Sequence, residues 1–173
     1  EQYRALIEDV SFPSIQQWKL DHPGGHVVGM FPVYSPYELA HAAGMLPVGL
    51  YGAGSRVEID HADSRIQSFV CSIARSTLEL GLRDLVRDID VVWFPSICDV
   101  ARNLSGIWQS NFPAQQVEYI HFPQNMTSAA APLHYRSELQ RLLRGLEAVN
   151  GVIVTDSMLS ESIGIYNANR RMC

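Results

Sequence analysis

No run of apolar residues approaches the roughly 18 needed to cross a bilayer. Residues 1–10, Glu-Gln-Tyr-Arg-Ala-Leu-Ile-Glu-Asp-Val, carry neither the basic nor the apolar region of a secretory leader. The expectation is a cytoplasmic protein with no membrane partner. Positive charge is scarce: 13 Lys and Arg stand against 18 Asp and Glu, the net charge is −5, and the longest basic cluster is Arg170-Arg171. Such a balance excludes non-specific nucleic-acid binding. Cysteine is also scarce, with Cys71, Cys98 and Cys173 odd in number and widely spaced. A secreted disulfide framework is thereby excluded, whereas thiol or metal chemistry stays open.

Several chemical signatures are missing too. No G-x-G-x-x-G follows the first apolar run and no G-x-x-x-x-G-K-[ST] occurs, so autonomous NAD or ATP binding has no support. Gly52-Ala-Gly54 reads as a turn. There is no H-E-x-x-H; His22 and His26 flank Pro23-Gly24-Gly25 and so lie in a loop, where their spacing has no zinc-site logic. His41 and His121 read as hydrogen-bonded structural residues. The absence of G-x-S-x-G removes the α/β-hydrolase nucleophile. No internal repeat or long low-complexity tract interrupts the chain.

What remains is a globular composition, 47% hydrophobic and 18% charged over 173 residues, enough for one core. Short apolar β-branched runs at 26–34, 46–51, 90–95 and 116–122 predict strands. Between them, three- and four-residue spacing predicts helices. One starts after Ser35-Pro36, with Ser35 as N-cap, Pro36 at the first helical position and Glu38 completing a capping box. A longer one runs through Ile66, Phe69, Val70, Ile73, Ala74, Thr77 and Leu80, placing Cys71 early within it. Others cover 99–110, with Asp99 as its cap, then 139–149 up to the stop signal Asn150-Gly151, and 156 onward.

Strands alternating with helices imply an α/β domain, flavodoxin-like, with a mostly parallel sheet of about four strands and helices on both faces. The organisation expected is a helical segment over 1–25, the α/β domain over 26–155, and a helix from 156 leading toward a further domain. Ligands of such sheets bind at the carboxyl ends of the strands, here Tyr34-Ser35, Tyr51-Gly52, Pro95 to Cys98 and Phe122-Pro123-Gln124. Cys71 and Cys98 fall at that rim, each with an arginine four residues on. Helix N-termini and cations favour thiolate. Taken by themselves, however, two inert core thiols are the more economical account, because free cysteine is among the most buried residue types. Ser72 and Ser96 adjoin the thiols as sulfur hydrogen-bond donors or as turn and cap residues.

Four segments carry a resemblance. Pro36-x-Glu38-Leu39-x-His-Ala-Ala-Gly44-Met-Leu-Pro47, Ser68-Phe-Val-Cys71-Ser-Ile-Ala-Arg-Ser-Thr-Leu-Glu-Leu-Gly81, Ile97-Cys98-Asp99-Val-Ala-Arg102-Asn103-Leu104 and Ser162-Ile-x-x-Tyr166-Asn167-x-x-Arg170 together resemble the benzoyl-CoA reductase and 2-hydroxyacyl-CoA dehydratase family. The likeness covers nearly all of the chain after residue 25, and the two cysteine segments lean toward the reductase's smaller substrate-binding subunit.

The resemblance implies an anaerobic, cytoplasmic iron–sulfur enzyme subunit in which Cys71 and Cys98 are the first two ligands of a [4Fe–4S] cluster. The third ligand would lie beyond residue 173, leaving the cluster absent or incomplete in this chain, an N-terminal piece inactive alone. Cys173 reads as an ordinary helix residue. Glu38 and Ser35 would stand near the substrate, although capping explains both. The implied partners are a homologous second substrate-binding subunit, ATP-hydrolysing iron–sulfur activator subunits, ferredoxin and an acyl-CoA. The implied reaction is reduction of the benzoyl-CoA ring to a cyclic dienoyl-CoA with ferredoxin electrons. Radical dehydration of a 2-hydroxyacyl-CoA, or a non-catalytic domain with structural cysteines, are the alternatives.

Overall fold

The computed structural model describes residues 9–172. Residues 1–8 of the expected N-terminal helical segment, and Cys173, lie outside them. The sheet has four strands, β1 (Val27–Met30), β2 (Leu46–Gly49), β3 (Val91–Pro95) and β4 (Gln116–Ile120), all parallel and in the order β2-β1-β3-β4. That is the expected flavodoxin-like arrangement. Its order reverses between β1 and β3, which opens a crevice at their carboxyl ends.

Among the described residues six α-helices flank the sheet: α1 (Pro13–Asp21), α2 (Tyr37–Ala42), α3 (Ser72–Leu82), α4 (Asp99–Asn111), α5 (Ala131–Asn150) and α6 (Asp156–Met172). Strand side chains alternate between faces, and the core divides accordingly. Val27, Phe31, Val92 and Phe94 join α1, α3 and α4 through Ile15, Leu78, Leu104 and Trp108. Val28, Met30, Val91 and Trp93 join α2 and α5 through Leu39, Ala40, Leu142 and Leu146, with Leu159 of α6 packed against them. Both faces of β1 and β3 are buried, which is why their sequences are continuously apolar. No helix among the described residues is long and apolar enough to cross a membrane.

Three local expectations are corrected. Ser35 is not an N-cap: α2 starts at Tyr37 after Pro36, with no side-chain cap, and the Ser35 hydroxyl donates to the Phe31 carbonyl at 3.2 Å. A residue before proline is pushed toward extended backbone, so the helix opens two residues later. Glu38 makes no capping box either; its carboxylate is paired with Arg170 at 2.5 Å. α3 begins at Ser72, not near Ile66. Ile66 reaches the core from a loop, held by its N–H donating to the Ala62 carbonyl at 2.9 Å, while Phe69 is 86% exposed. Helix-like spacing across 66–70 arises from a loop that buries residues without forming a helix.

Candidate functional site

The loop before α3 and the loop after β3 converge on the carboxyl rim, and each ends on a cysteine. Cys71 is the residue preceding α3, with φ −57° and ψ 141°; Cys98 precedes α4 in fully extended backbone. Both thiols are exposed, so the core-thiol account is overturned. At Cys98 the sulfur itself is the cap, accepting from the Ala101 N–H at 3.4 Å. Asp99 is therefore not the cap: it sits in the first turn and pairs with Arg102 at 2.9 Å.

The arginines expected to support the thiols face carboxylates instead. Arg75 makes a two-pronged contact to Asp63 at 2.8 and 2.7 Å, a geometry that suits guanidinium and carboxylate. Among the described residues neither flanking serine bonds sulfur. Ser96 Oγ accepts from the Phe122 N–H at 2.8 Å, and the exposed Ser72 has its carbonyl accepting from Ser76 Oγ at 2.8 Å. Val70 and Val100, neighbours of the two cysteine turns, line one cavity of about 600 Å³ together with Arg65 and Arg102. The two cysteine-bearing segments thus border a common cleft.

A second group gathers where α2 meets α6. Ser162 Oγ, in a residue only 1% exposed, donates to the Glu38 carbonyl at 2.9 Å and lies 3.0 Å from His41 Nδ1. Arg170 pairs with Glu38 and stands over the Tyr166 ring, 5.9 Å from its centre. The Tyr37 and Tyr51 hydroxyls are 3.1 Å apart. Burial first, and the Tyr51 hydroxyl second, push the Tyr37 phenol well above its ordinary range. Burial and then the Glu38 charge raise Tyr166 and Tyr135 in the same direction. The segments around Glu38 and Tyr166-Arg170, far apart in sequence, form one hydrogen-bonded wall.

Two further cavities occupy the rim. One of about 590 Å³ is lined by Tyr34, Ile97, Phe122, Met126 and Tyr135, with Phe122 edge-on to Tyr34 at 5.9 Å and tilted on Tyr135 at 5.4 Å. The other, about 690 Å³, is lined by Arg102, His121, Asn125, Ser128 and His134. Sequence reasoning locates the Phe122-Pro123-Gln124 turn at the rim but not Tyr135 or Met126, which come from α5 and from the loop before it. An aromatic residue one turn into a helix has no local signal that it closes a cavity.

Among the described residues, one three-membered group has metal-ligand composition, Asp60, His61 and Glu79. Its centre is already filled: Glu79 accepts from the N–H groups of His61 and Ala62, from the His61 ring and from Arg83. The cysteines are different, being exposed, soft donors, with the Ala101 N–H on Cys98 Sγ. A [4Fe–4S] cluster takes three or four protein ligands. Cys71 and Cys98 fit as two of them by donor chemistry and accessibility.

A parallel four-stranded α/β sheet whose order reverses between β1 and β3, with two exposed thiols and an aromatic cavity beside it, is a domain of the doubly wound class. Residues 32–173 match the family described as 2-hydroxyglutaryl-CoA dehydratase, D-component, and the chain belongs to that family of benzoyl-CoA reductase and 2-hydroxyacyl-CoA dehydratase subunits. It is 46% identical over 168 residues to a benzoyl-CoA reductase subunit of Thauera aromatica, covering 97% of this chain and 44% of that protein. Lactoyl-CoA dehydratase subunit beta of Anaerotignum propionicum is 36% identical over 147 residues, covering 85% of this chain and 38% of the relative. The (R)-2-hydroxyglutaryl-CoA dehydratase subunit beta of Acidaminococcus fermentans is 28% identical over 171 residues, covering 96% of this chain and 45% of the relative. The chain spans less than half the length of these relatives.

Proposed function

We propose that this chain is part of a substrate-binding subunit of an ATP-dependent iron–sulfur benzoyl-CoA reductase, acting in the cytoplasm with a homologous second subunit, an ATP-hydrolysing activator and ferredoxin as electron source. The enzyme adds two electrons and two protons to the aromatic ring of benzoyl-CoA, giving a cyclic dienoyl-CoA. The observation that carries this reading is the pair Cys71 and Cys98: both exposed, both immediately before a helix, with nearby Val70 and Val100 lining one cavity. Residues with that exposure serve chemistry better than packing.

Cys71 and Cys98 would hold the cluster, which when bound supplies electrons at low potential. The chain's own residues set its surroundings. The Ala101 N–H donates to Cys98 Sγ, and hydrogen bonds to sulfur are one of the protein's means of tuning such a centre. The Glu38–Arg170 and Ser162–His41 contacts fix the wall formed by α2 and α6, while apolar side chains around Phe122 line the neighbouring cavity.

Similarity to the two dehydratase beta subunits favours a second reading, radical dehydration of a 2-hydroxyacyl-CoA. Anaerobic reconstitution of the full-length polypeptide tests the ligand assignment common to both readings. About four irons per chain are expected, lost in Cys71→Ser and Cys98→Ser, while the iron-free variants melt at the same temperature as the iron-free wild type. Iron retention in both variants overturns the ligand assignment. Turnover of benzoyl-CoA but not of a 2-hydroxyacyl-CoA by the complete enzyme supports the reductase; the reverse supports the dehydratase.

A further inference from the structure

The two rim cavities beside Cys98 share a wall. Ser96, Phe122, Pro123, Gln124 and Ala131 line both, so they are two lobes of one groove. The Ser96 hydroxyl fixes that wall by accepting the Phe122 N–H, while the Ser96 N–H donates to the Ile120 carbonyl at 2.9 Å. β3 and β4 are thereby tied together at the point where the lobes meet.

The lobes differ in chemistry. The first is apolar and aromatic. Tyr34 is held there at φ +67°, a left-handed conformation that a non-glycine residue keeps only when its surroundings enforce it, and such strain concentrates at ligand clamps. Ile97, adjacent to Cys98, is among its lining residues. Rings set edge-on and tilted offer a flat ring both faces and edges, and the volume falls within the range of small-ligand pockets. The second lobe carries Arg102, His121 and His134, and also Glu138, whose carboxylate is already held by Arg141 and the His121 N–H. Arg102 is paired with Asp99, but both are largely exposed, 62% and 84%. Exposed pairs of this kind exchange partners at little cost, and guanidinium matches phosphate geometry.

We infer that this groove is an acyl-thioester site of the chain itself: an aromatic acyl group lies in the lobe of Tyr34, Phe122 and Tyr135, and the phosphate-bearing coenzyme A arm runs past Ser96 toward Arg102. The inference rests on the function proposed above for its choice of ligand, and goes beyond it in assigning the residues that receive each end. Tyr135 and Met126 select the acyl group, and Arg102 holds the coenzyme.

Equilibrium binding of benzoyl-CoA and of free CoA to the complete enzyme, anaerobically and without turnover, tests it. Tyr135→Ala weakens benzoyl-CoA about tenfold and leaves free CoA unchanged, whereas Tyr135→Phe binds as wild type. Arg102→Ala weakens both ligands to the same extent. Met126→Ala, at a side chain 72% exposed, serves should Tyr135→Ala fail to fold, with the same expected split. Unchanged benzoyl-CoA affinity in folded variants overturns the site while leaving the proposed function intact. Equal loss of both ligands in Tyr135→Ala overturns the acyl assignment, and tighter binding of a straight-chain 2-hydroxyacyl-CoA overturns the aromatic occupant. A wild-type enzyme that binds neither ligand overturns both this site and the function on which it rests.

Discussion

A carboxylate with no exposed surface persists as an anion only when donors match its oxygens, and Glu79 has four such contacts from His61, Ala62 and Arg83. Burial alone would raise its pKa. The hydrogen bonds from Arg83, the His61 ring and the two backbone N–H groups outweigh burial and hold it down at about 2, against an ordinary 4.5. The stability Glu79 confers is therefore complete above about pH 4.5 and disappears as pH falls through about 2. Glu79→Gln is expected to lose about 3 kcal/mol at neutral pH, since its removal strands a buried network, and to show a shallower loss of stability between those limits in urea unfolding. Thr77 presents the opposite case. It has no exposed surface, and its hydroxyl has no hydrogen-bond partner among the described residues. Thr77→Val keeps the shape and removes an unsatisfied group, so it is expected to stabilise by about 1 kcal/mol, read as a higher melting temperature; a lower one would show that the hydroxyl has a partner. Helical spacing marks Thr77 as buried, but nothing local marks Glu79 as the residue that anchors the loop over 58–65.

Helix boundaries are legible wherever the stop or start is written in backbone chemistry. Gly151 ends α5 in the left-handed conformation, φ +70°, as the Asn150-Gly151 pair implies, and α4 and α6 begin at Asp99 and Asp156. The start of α2 is set by Pro36, which keeps Ser35 from capping, but Glu38's use by distant Arg170 has no local signal; the start of α3 depends on the Glu79-anchored loop before Cys71. Glycine separates two kinds of constraint. At Gly151 an added Cβ meets nothing within 4 Å, so Gly151→Ala carries only the backbone cost of about 1 kcal/mol. Gly52 also has positive φ, +75°, but its Cβ would lie 2.3 Å from Ser76 Oγ and 3.2 Å from the Ile73 carbonyl oxygen. Gly52→Ala is therefore expected to cost clearly more, about 2–3 kcal/mol. Equal losses in chemical denaturation would show that the loop after β2 packs less closely on α3.

At the scale of the molecule, α6 is docked to the rest through few but directed contacts. Ser162 joins the Glu38 carbonyl and His41, and Arg170 joins Glu38. Ser162→Val removes the buried bonds without changing volume greatly. The amides of 156–172 are expected to exchange hydrogen about tenfold faster while those of β1 and β3 are unaffected. Uniform acceleration across the sheet would instead make Ser162 part of the global core. The same docking brings Tyr166 beside Tyr37 and His41, so the rim wall depends on a helix that follows the last strand of the sheet.

The order of elements, the parallel sheet and the placement of both cysteines at its carboxyl rim were determined by the sequence alone, because alternating periods of two and 3.6 leave a chain of this length few ways to bury its apolar faces. The tertiary structure decided everything that depends on partners distant along the chain. It exposed both thiols by setting each just before a helix, turned Arg75 and Arg102 toward aspartates, and matched Glu38 with Arg170. It also formed a two-lobed groove from loops that share no sequence pattern. Local propensity sees only neighbours along the chain, whereas charge pairing, burial and cavity shape are settled between segments that meet only when the sheet is assembled.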